Sequence, residues 1–297
     1  MLYSWLYVFI NALSGLLRQV IGSVAPPSSV LLMGAIASIL FFNILNIHRL
    51  KIIYQSCWEN KSSWIVLGIA VAGLWLPAFY VPPMIGASLY TFIFFSLLGC
   101  LGKGMLYLKS PQKTKISLYS LIGLSGLLVT VILISLYLYP TQQEVEGIGL
   151  SIFGSIMGFI YAKQSAQFAT KTHLSASSVL AVRFYLTIPI SFVLLPAQDH
   201  LLFGSAHPIF VIAVAIFCLI VPAYFSQKGI EKAGPEMNAV IISVTPFFTA
   251  ILQSLYFKNI AWPYFVIYST YVFVATLPVS VDWFASRRQA DLAQEVS

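Results

Sequence analysis

The chain has 297 residues, of which 59% are hydrophobic and 8% charged, with a formal net charge of +7. Soluble domains carry about 25% charged residues, so this chain could not cover a water-facing surface. The positive balance does not signal nucleic acid, because no basic cluster is interleaved with aromatics and the lysines and arginines fall in short loops. The implied partner is the lipid bilayer.

Apolar runs longer than the roughly 20 residues that cross a hydrocarbon core recur along the chain. They are continuous and do not alternate over about ten residues, which selects helices over barrel strands. Ten spans are predicted. The first five are Leu2–Ile21, Ser28–Ile47, Ser63–Val81, Pro83–Gly102 and Ile116–Tyr139. The second five are Ile148–Phe168, Ala176–Leu195, Pro208–Phe225, Met237–Phe257 and Trp262–Trp283. Gly22-Ser23-Val24-Ala25 has the small residues of a signal-cleavage site, but no basic region precedes it and the run is long, so a retained first span is expected. Only Val81-Pro82-Pro83 is available to join the third and fourth spans, which predicts a tight Pro-Pro turn there. The three cysteines, Cys57, Cys100 and Cys218, are an odd number and read as buried thiols, not a disulfide framework.

Placing both termini in the cytoplasm puts twelve basic residues inside: Arg49, Lys51, Lys61, Lys103, Lys109, Lys113, Lys115, Lys171, Lys228, Lys232, Arg287 and Arg288. Only Lys258 then falls outside, and the external segments with Glu144, Glu146 and Asp199 carry no lysine or arginine. That asymmetry is the positive-inside rule, and an odd number of spans would spoil it.

The two halves match in order. Leu17-Arg18-Gln19 corresponds to Ala162-Lys163-Gln164, and Ser28-Ser29-Val30-Leu31 to Ser177-Ser178-Val179-Leu180. Leu76-Pro77-Ala78-Phe79-Tyr80 corresponds to Val221-Pro222-Ala223-Tyr224-Phe225, and Pro83-Met84 loosely to Pro235-Glu236-Met237. Because each half holds five spans, the second enters from the opposite side, as in transporters built from inverted repeats with a site near the midplane. The units are residues 1–139, residues 148–284 and a short tail, 285–297. Pro77 and Pro222, at matching places in spans three and eight, are predicted to break both helices near the binding region.

The stretch Gly229-Ile230-Glu231-Lys232-Ala233-Gly234-Pro235, followed by Ala239 through Leu252 with a central Pro246, resembles the eighth-to-ninth-span pattern of the drug/metabolite transporter superfamily, EamA-type branch. Arg183 in span seven is similar to an arginine often found there. Two departures stand out: Phe257-Lys258-Asn259 replaces an acidic ending, and the first half carries Phe94 and Gly34 where the second carries Pro246 and Arg183. The resemblance implies alternating access, a cavity lined by spans one, three, four, six, eight and nine, and a third proline hinge at Pro246. It does not carry a substrate class.

Arg18, Lys163 and Arg183 are the basic residues predicted well within spans, each costing about 2.5–3.5 kcal/mol at the bilayer centre unless partnered or hydrated. Arg18 and Lys163, in opposite halves of the membrane, either flank a central cavity or snorkel to the nearer interfaces. Arg183 either joins that cavity or bonds backbone carbonyls. No aspartate or glutamate lies near the middle of a span, so the interior suits a carboxylate, a phosphate or another anion better than a cation. Asn11, Gln19, Trp75, Tyr80, Tyr90, Tyr161, Gln164 and Tyr224 are further candidates for substrate binding, against packing or interfacial roles. Lys163 is also the candidate proton carrier, since a buried lysine shifts its pKa readily and all four histidines lie in or beside loops.

These features predict a secondary active transporter, not an enzyme, that needs no cofactor or metal. Its cargo would be a small anionic or zwitterionic metabolite such as an amino acid or organic acid, with export as the family habit. An exchanger or facilitator for a phosphorylated sugar, nucleotide derivative or polycarboxylate siderophore is the alternative. A membrane-embedded enzyme would need a nucleophile, paired carboxylates or metal-spaced histidines, and a channel would need filter-like rings. Protons or a counter-substrate are the expected coupling partners, a bacterial cytoplasmic membrane the location, and a monomer or homodimer the assembly.

Overall fold

In the computed structural model, residues 1–109, 115–138, 141–195, 203–258 and 265–274 are described, the side chains of 115–117 excepted. Every regular element among them is helical. The first half of the chain holds α1 (Leu2–Gly22), α2 (Pro27–Leu45), a 3-10 turn (Ile47–Arg49), α3 (Leu50–Glu59), α4 (Lys61–Ile85), α5 (Ala87–Lys109) and α6 (Lys115–Leu138). The second half holds α7 (Gln142–Thr172), α8 (Ala176–Val182), α9 (Thr187–Val193), α10 (Pro208–Ala233), α11 (Pro235–Ile242) and α12 (Thr245–Phe257). A short apolar helix, α13 (Phe265–Val274), follows. Counting α8 with α9 and α11 with α12, nine described helical segments are long and apolar enough to cross a membrane. This is the make-up of an integral, multi-pass protein. Of the predicted tenth span only the α13 stretch is described, and the tail lies outside the described residues.

The helices form one bundle with α4 packed along α7 and α1 along α10, while α5 bridges α7, α11 and α12. Small residues let the backbones approach, as expected where lipid supplies no hydrophobic drive between helices. A Cβ on Gly102 of α5 would meet the Glu236 carbonyl oxygen and the Ala239 Cβ of α11, each at 2.9 Å. The α6 helix is the least buried and turns Tyr119, Ile122, Val129 and Leu133 outward.

Several boundaries differ from those expected. No Pro-Pro turn separates the third and fourth spans, because α4 continues through Pro82 and Pro83 to Ile85 and turns at Gly86, φ +85°. A proline removes one N–H and need not end a helix whose freed carbonyl finds another donor. Gly234, φ +79°, makes the same kind of turn between α10 and α11. The helices containing Pro77 and Pro222 also run on without interruption. The breaks fall in the seventh span, at residues 183–186, and between Ile242 and Thr245, next to Pro246. The α7 helix starts six residues before its predicted span because Thr141 caps it, its hydroxyl accepting from the Glu144 amide at 3.1 Å. Lys103, expected in a loop, is buried within α5 and donates to the Ser120 hydroxyl of α6 at 2.8 Å.

The α5–α11 contact can be tested at two glycines of one helix. Gly102→Ala is expected to cost about 1–3 kcal/mol of stability through overpacking. Gly104→Ala, where a Cβ meets nothing within 4 Å, is expected to be neutral or to gain up to about 1 kcal/mol from helix propensity. Thermal unfolding of the two variants in detergent measures the contrast, and equal shifts would refute the close approach.

Candidate functional site

The polar centre of the bundle is organised by helix irregularities and by the side chains that answer them. Pro82 has no N–H, so the Ala78 carbonyl four residues earlier lacks its helical donor. Arg18 of α1 supplies one: its Nη1 donates to that oxygen at 3.0 Å. The same guanidinium donates from Nε to the Ser14 carbonyl at 3.1 Å and from Nη2 to Asn11 Oδ1 at 3.1 Å. Trp75 and Phe79 offer ring faces to it at 5.9 and 5.6 Å. Arg18 is thus buried, without a carboxylate, by three acceptors and two aromatic faces.

The break in the seventh span is held from outside in the same way. A continuous helix would pair the carbonyls of Ala181 and Val182 with amides 185 and 186. Here those carbonyls accept from Asn43 Nδ2 of α2 at 3.0 Å and from Trp64 Nε1 of α4 at 2.8 Å. Arg183, the first residue of the break, is 1% exposed. Its Nη1 donates to the Tyr161 hydroxyl, which in turn donates to Gln227 Oε1 at 2.6 Å, and the Ser165 hydroxyl donates to the same oxygen at 2.8 Å. The Phe184 and Tyr161 rings flank the guanidinium at 4.6 and 5.0 Å.

Arg18 and Arg183 line one cavity of about 20 Å³, together with Tyr7, Asn11, Trp75 and Tyr90, among others. That volume holds about one water. A second space of about 30 Å³ shares Tyr7, Tyr161 and Ser226 with it and extends to Asn238 and Pro235. A third, about 580 Å³, lies past Arg18 beside Gln19, Tyr80, Pro83, Gln143 and Tyr256. Along α1 the order runs from Tyr7 through Arg18 to Gln19 and Ser23, so the three spaces line up along the bundle. Among the described residues, no acidic side chain lines any of them. At the Tyr7 end, Lys109 of α5 and Glu236 of α11 form an ion pair at 2.5 Å.

Six of the candidates read from the sequence therefore meet at the central cavity: Asn11, Arg18, Trp75, Tyr90, Tyr161 and Arg183. Gln19 serves as a cap, its Oε1 accepting from the Ala87 amide at 2.9 Å, while Gln253 does the same for the Ser88 amide at 2.7 Å. Tyr80 lines the large outer space. Tyr224 packs against Phe225, and Gln164 is half-buried outside the three spaces. Lys163 also stands outside them, its ammonium 4.8 Å over the Phe159 ring and within electrostatic reach of Glu236. The repeat match between Arg18 and Lys163 thus does not bring the two into one lining; Arg183 is the second cation there. Tyr7, Gln227 and Ser226 were missed. Gln227 lies beyond the predicted end of span eight, and its signal is the helical run on to Ala233 before Gly234-Pro235.

No family model matches the chain, and no curated protein does. The fold is similar to that of a solved crystal structure, with a TM-score of 0.64 over 93% of this chain and 96% of that chain at 17% identity. At that identity the likeness is one of fold alone.

The role of Arg18 can be tested by a double-mutant cycle. Hydrogen bonds from a charged group contribute about 1.5–3 kcal/mol each, and three of them outweigh the several kcal/mol recovered by removing a buried ion. Arg18→Leu should therefore lower stability by about 2–4 kcal/mol. Pro82→Ala restores an amide to the Ala78 carbonyl, so the loss from Arg18→Leu should shrink in that background. Unfolding of the four proteins in detergent measures the coupling, and strict additivity would refute it.

Proposed function

We propose that this chain is a secondary active transporter of a small anionic or zwitterionic metabolite, working by alternating access. The observation that carries the reading is the central cavity, where two buried guanidiniums converge and, among the described residues, no acidic side chain answers them. Net positive charge held in low dielectric favours a carboxylate and disfavours a cation. The alignment of this cavity with spaces toward both ends of the bundle supports a route through the protein. The cavity has room for about one water. The helices must part to admit the cargo, as alternating access requires.

The reading includes ten spans in two inverted halves with both termini in the cytoplasm. The positive-inside asymmetry supports that orientation. The pairing of α4 with α7 and of α1 with α10 has the reciprocity expected of exchanged repeats, and the matching turns at Gly86 and Gly234 fall at equivalent places. The resemblance to EamA-type drug/metabolite transporters agrees with this plan, as do a bacterial cytoplasmic membrane and an outward direction. Lys163 stands apart from the cavity, over the Phe159 ring and within electrostatic reach of Glu236; its part in proton coupling is the element of this reading that the Lys163 variant tests.

Proteoliposomes loaded with labelled lactate, alanine, succinate or tetraethylammonium test the proposal. Carboxylate flux above protein-free vesicles is expected, and preferential flux of the cation would overturn the anion reading. If Lys163 couples protons, a pH gradient should drive the wild type and fail to drive Lys163→Gln. An equal response of both proteins would remove Lys163 from coupling.

A further inference from the structure

The two arginines of the central cavity are satisfied to different degrees. Arg18 places Nε, Nη1 and Nη2 on three acceptors. Arg183 is as deeply buried, yet among the described residues only its Nη1 has an acceptor, and Nε and Nη2 have none. Those two atoms form one edge of the guanidinium plane, with parallel N–H bonds matched in spacing to the two oxygens of a carboxylate. The indole Nε1 of Trp75, in the same lining, is also a buried donor without an acceptor. Leaving such donors dry costs about 1–3 kcal/mol each, more for a charged group. That cost calls for an acceptor that the folded chain does not itself provide.

We infer that Arg183 grips the carboxylate of the cargo side-on through Nε and Nη2, with Trp75 Nε1 as a third donor, while Arg18 is a structural strut of the α4 helix. This inference rests on the transporter reading and assigns the residue that recognises its substrate class. The surroundings of Arg183 suit the task. Tyr161 takes the third nitrogen and is itself oriented by Gln227 and Ser165, so α7 and α10 together fix the plane of the fork. The break that carries Arg183 is held by Asn43 and Trp64, which ties the grip to α2 and α4. Closing on a carboxylate would thus engage four helices at once.

The test compares lactate with lactamide, which has nearly the same shape but no charge, in proteoliposomes of wild type, Arg183→Gln and Arg183→Lys. Wild type is expected to carry lactate and discriminate against lactamide. Arg183→Gln should lose lactate flux by at least about 30-fold, the low end for removing one partner of a buried charge pair. Arg183→Lys keeps the charge without the fork and should stay well below wild type. The melting temperature of empty Arg183→Gln should hold or rise, since no acceptor is lost on the Nε–Nη2 edge; a purely structural arginine would lower it. Undiminished lactate flux in Arg183→Gln, or full rescue by lysine, would overturn the fork and leave the transporter reading intact. Failure of wild type to carry lactate, alanine or succinate would overturn the transporter reading itself, before any variant is compared.

Discussion

Inside hydrocarbon no water is available to a backbone N–H or C=O, so every irregularity in a helix must be answered by another part of the protein. This constraint organises the bundle. Pro82 frees a carbonyl and Arg18 takes it; the seventh span breaks, and Asn43 and Trp64 take the exposed carbonyls. Pro246 leaves the Ile242 carbonyl without its helical donor, and the Thr245 hydroxyl donates to it at 2.6 Å. The first amides of α5 are capped by Gln19 from α1 and Gln253 from α12. Each repair runs between elements or across a break, so the irregular points double as the polar contacts that fix how the helices meet.

The same accounting sorts polar side chains by role. One whose donors are consumed by backbone belongs to the scaffold, however central it looks. One left with donors facing a cavity has capacity for something else. Arg18 and Arg183 fall on opposite sides of that line although both are buried in the same lining. The difference follows an asymmetry between the two halves. In the proposed repeat, spans two and four, α2 and α5, would correspond to spans seven and nine; they are continuous and carry Gly34 and Phe94 at the places of Arg183 and Pro246. The second half has the breaks, and the unsatisfied cation sits on one of them.

Hydropathy made most of the spans legible because bilayer thickness imposes a length that composition cannot disguise. Turns and breaks were less legible, since they depend on a partner distant in sequence. The Pro-Pro pair at 82–83 looked like a turn, but a donor 60 residues away kept the helix intact. The break at residues 183–186 precedes Pro189, which has no N–H for the Tyr185 carbonyl, but the donors that hold its open carbonyls, Asn43 and Trp64, come from other helices. The central site was legible by type and only partly by position. Two arginines, an asparagine and three aromatics, on five spans, were visible in the sequence. The choice of Arg183 over Lys163 was not, because a repeat match fixes the level of a residue in the bundle and not the direction it faces.

For the proposed cycle, two sets of contacts between helices differ in their surroundings. Lys109 is 60% exposed and Glu236 11%, so the pair at the Tyr7 end stands partly in solvent. Water screens the exposed ammonium and weakens the pair, while the largely buried carboxylate makes its loss costly. The Arg18 contacts are buried, charge-assisted and anchored to backbone, so breaking them would leave the Ala78 carbonyl dry. Parting α1 from α4 at Arg18 would break the bond to the Ala78 carbonyl and leave the Ser14 and Asn11 bonds within α1, whereas parting α5 from α11 would break the Lys109–Glu236 pair and the close packing of Gly102 against the Glu236 carbonyl.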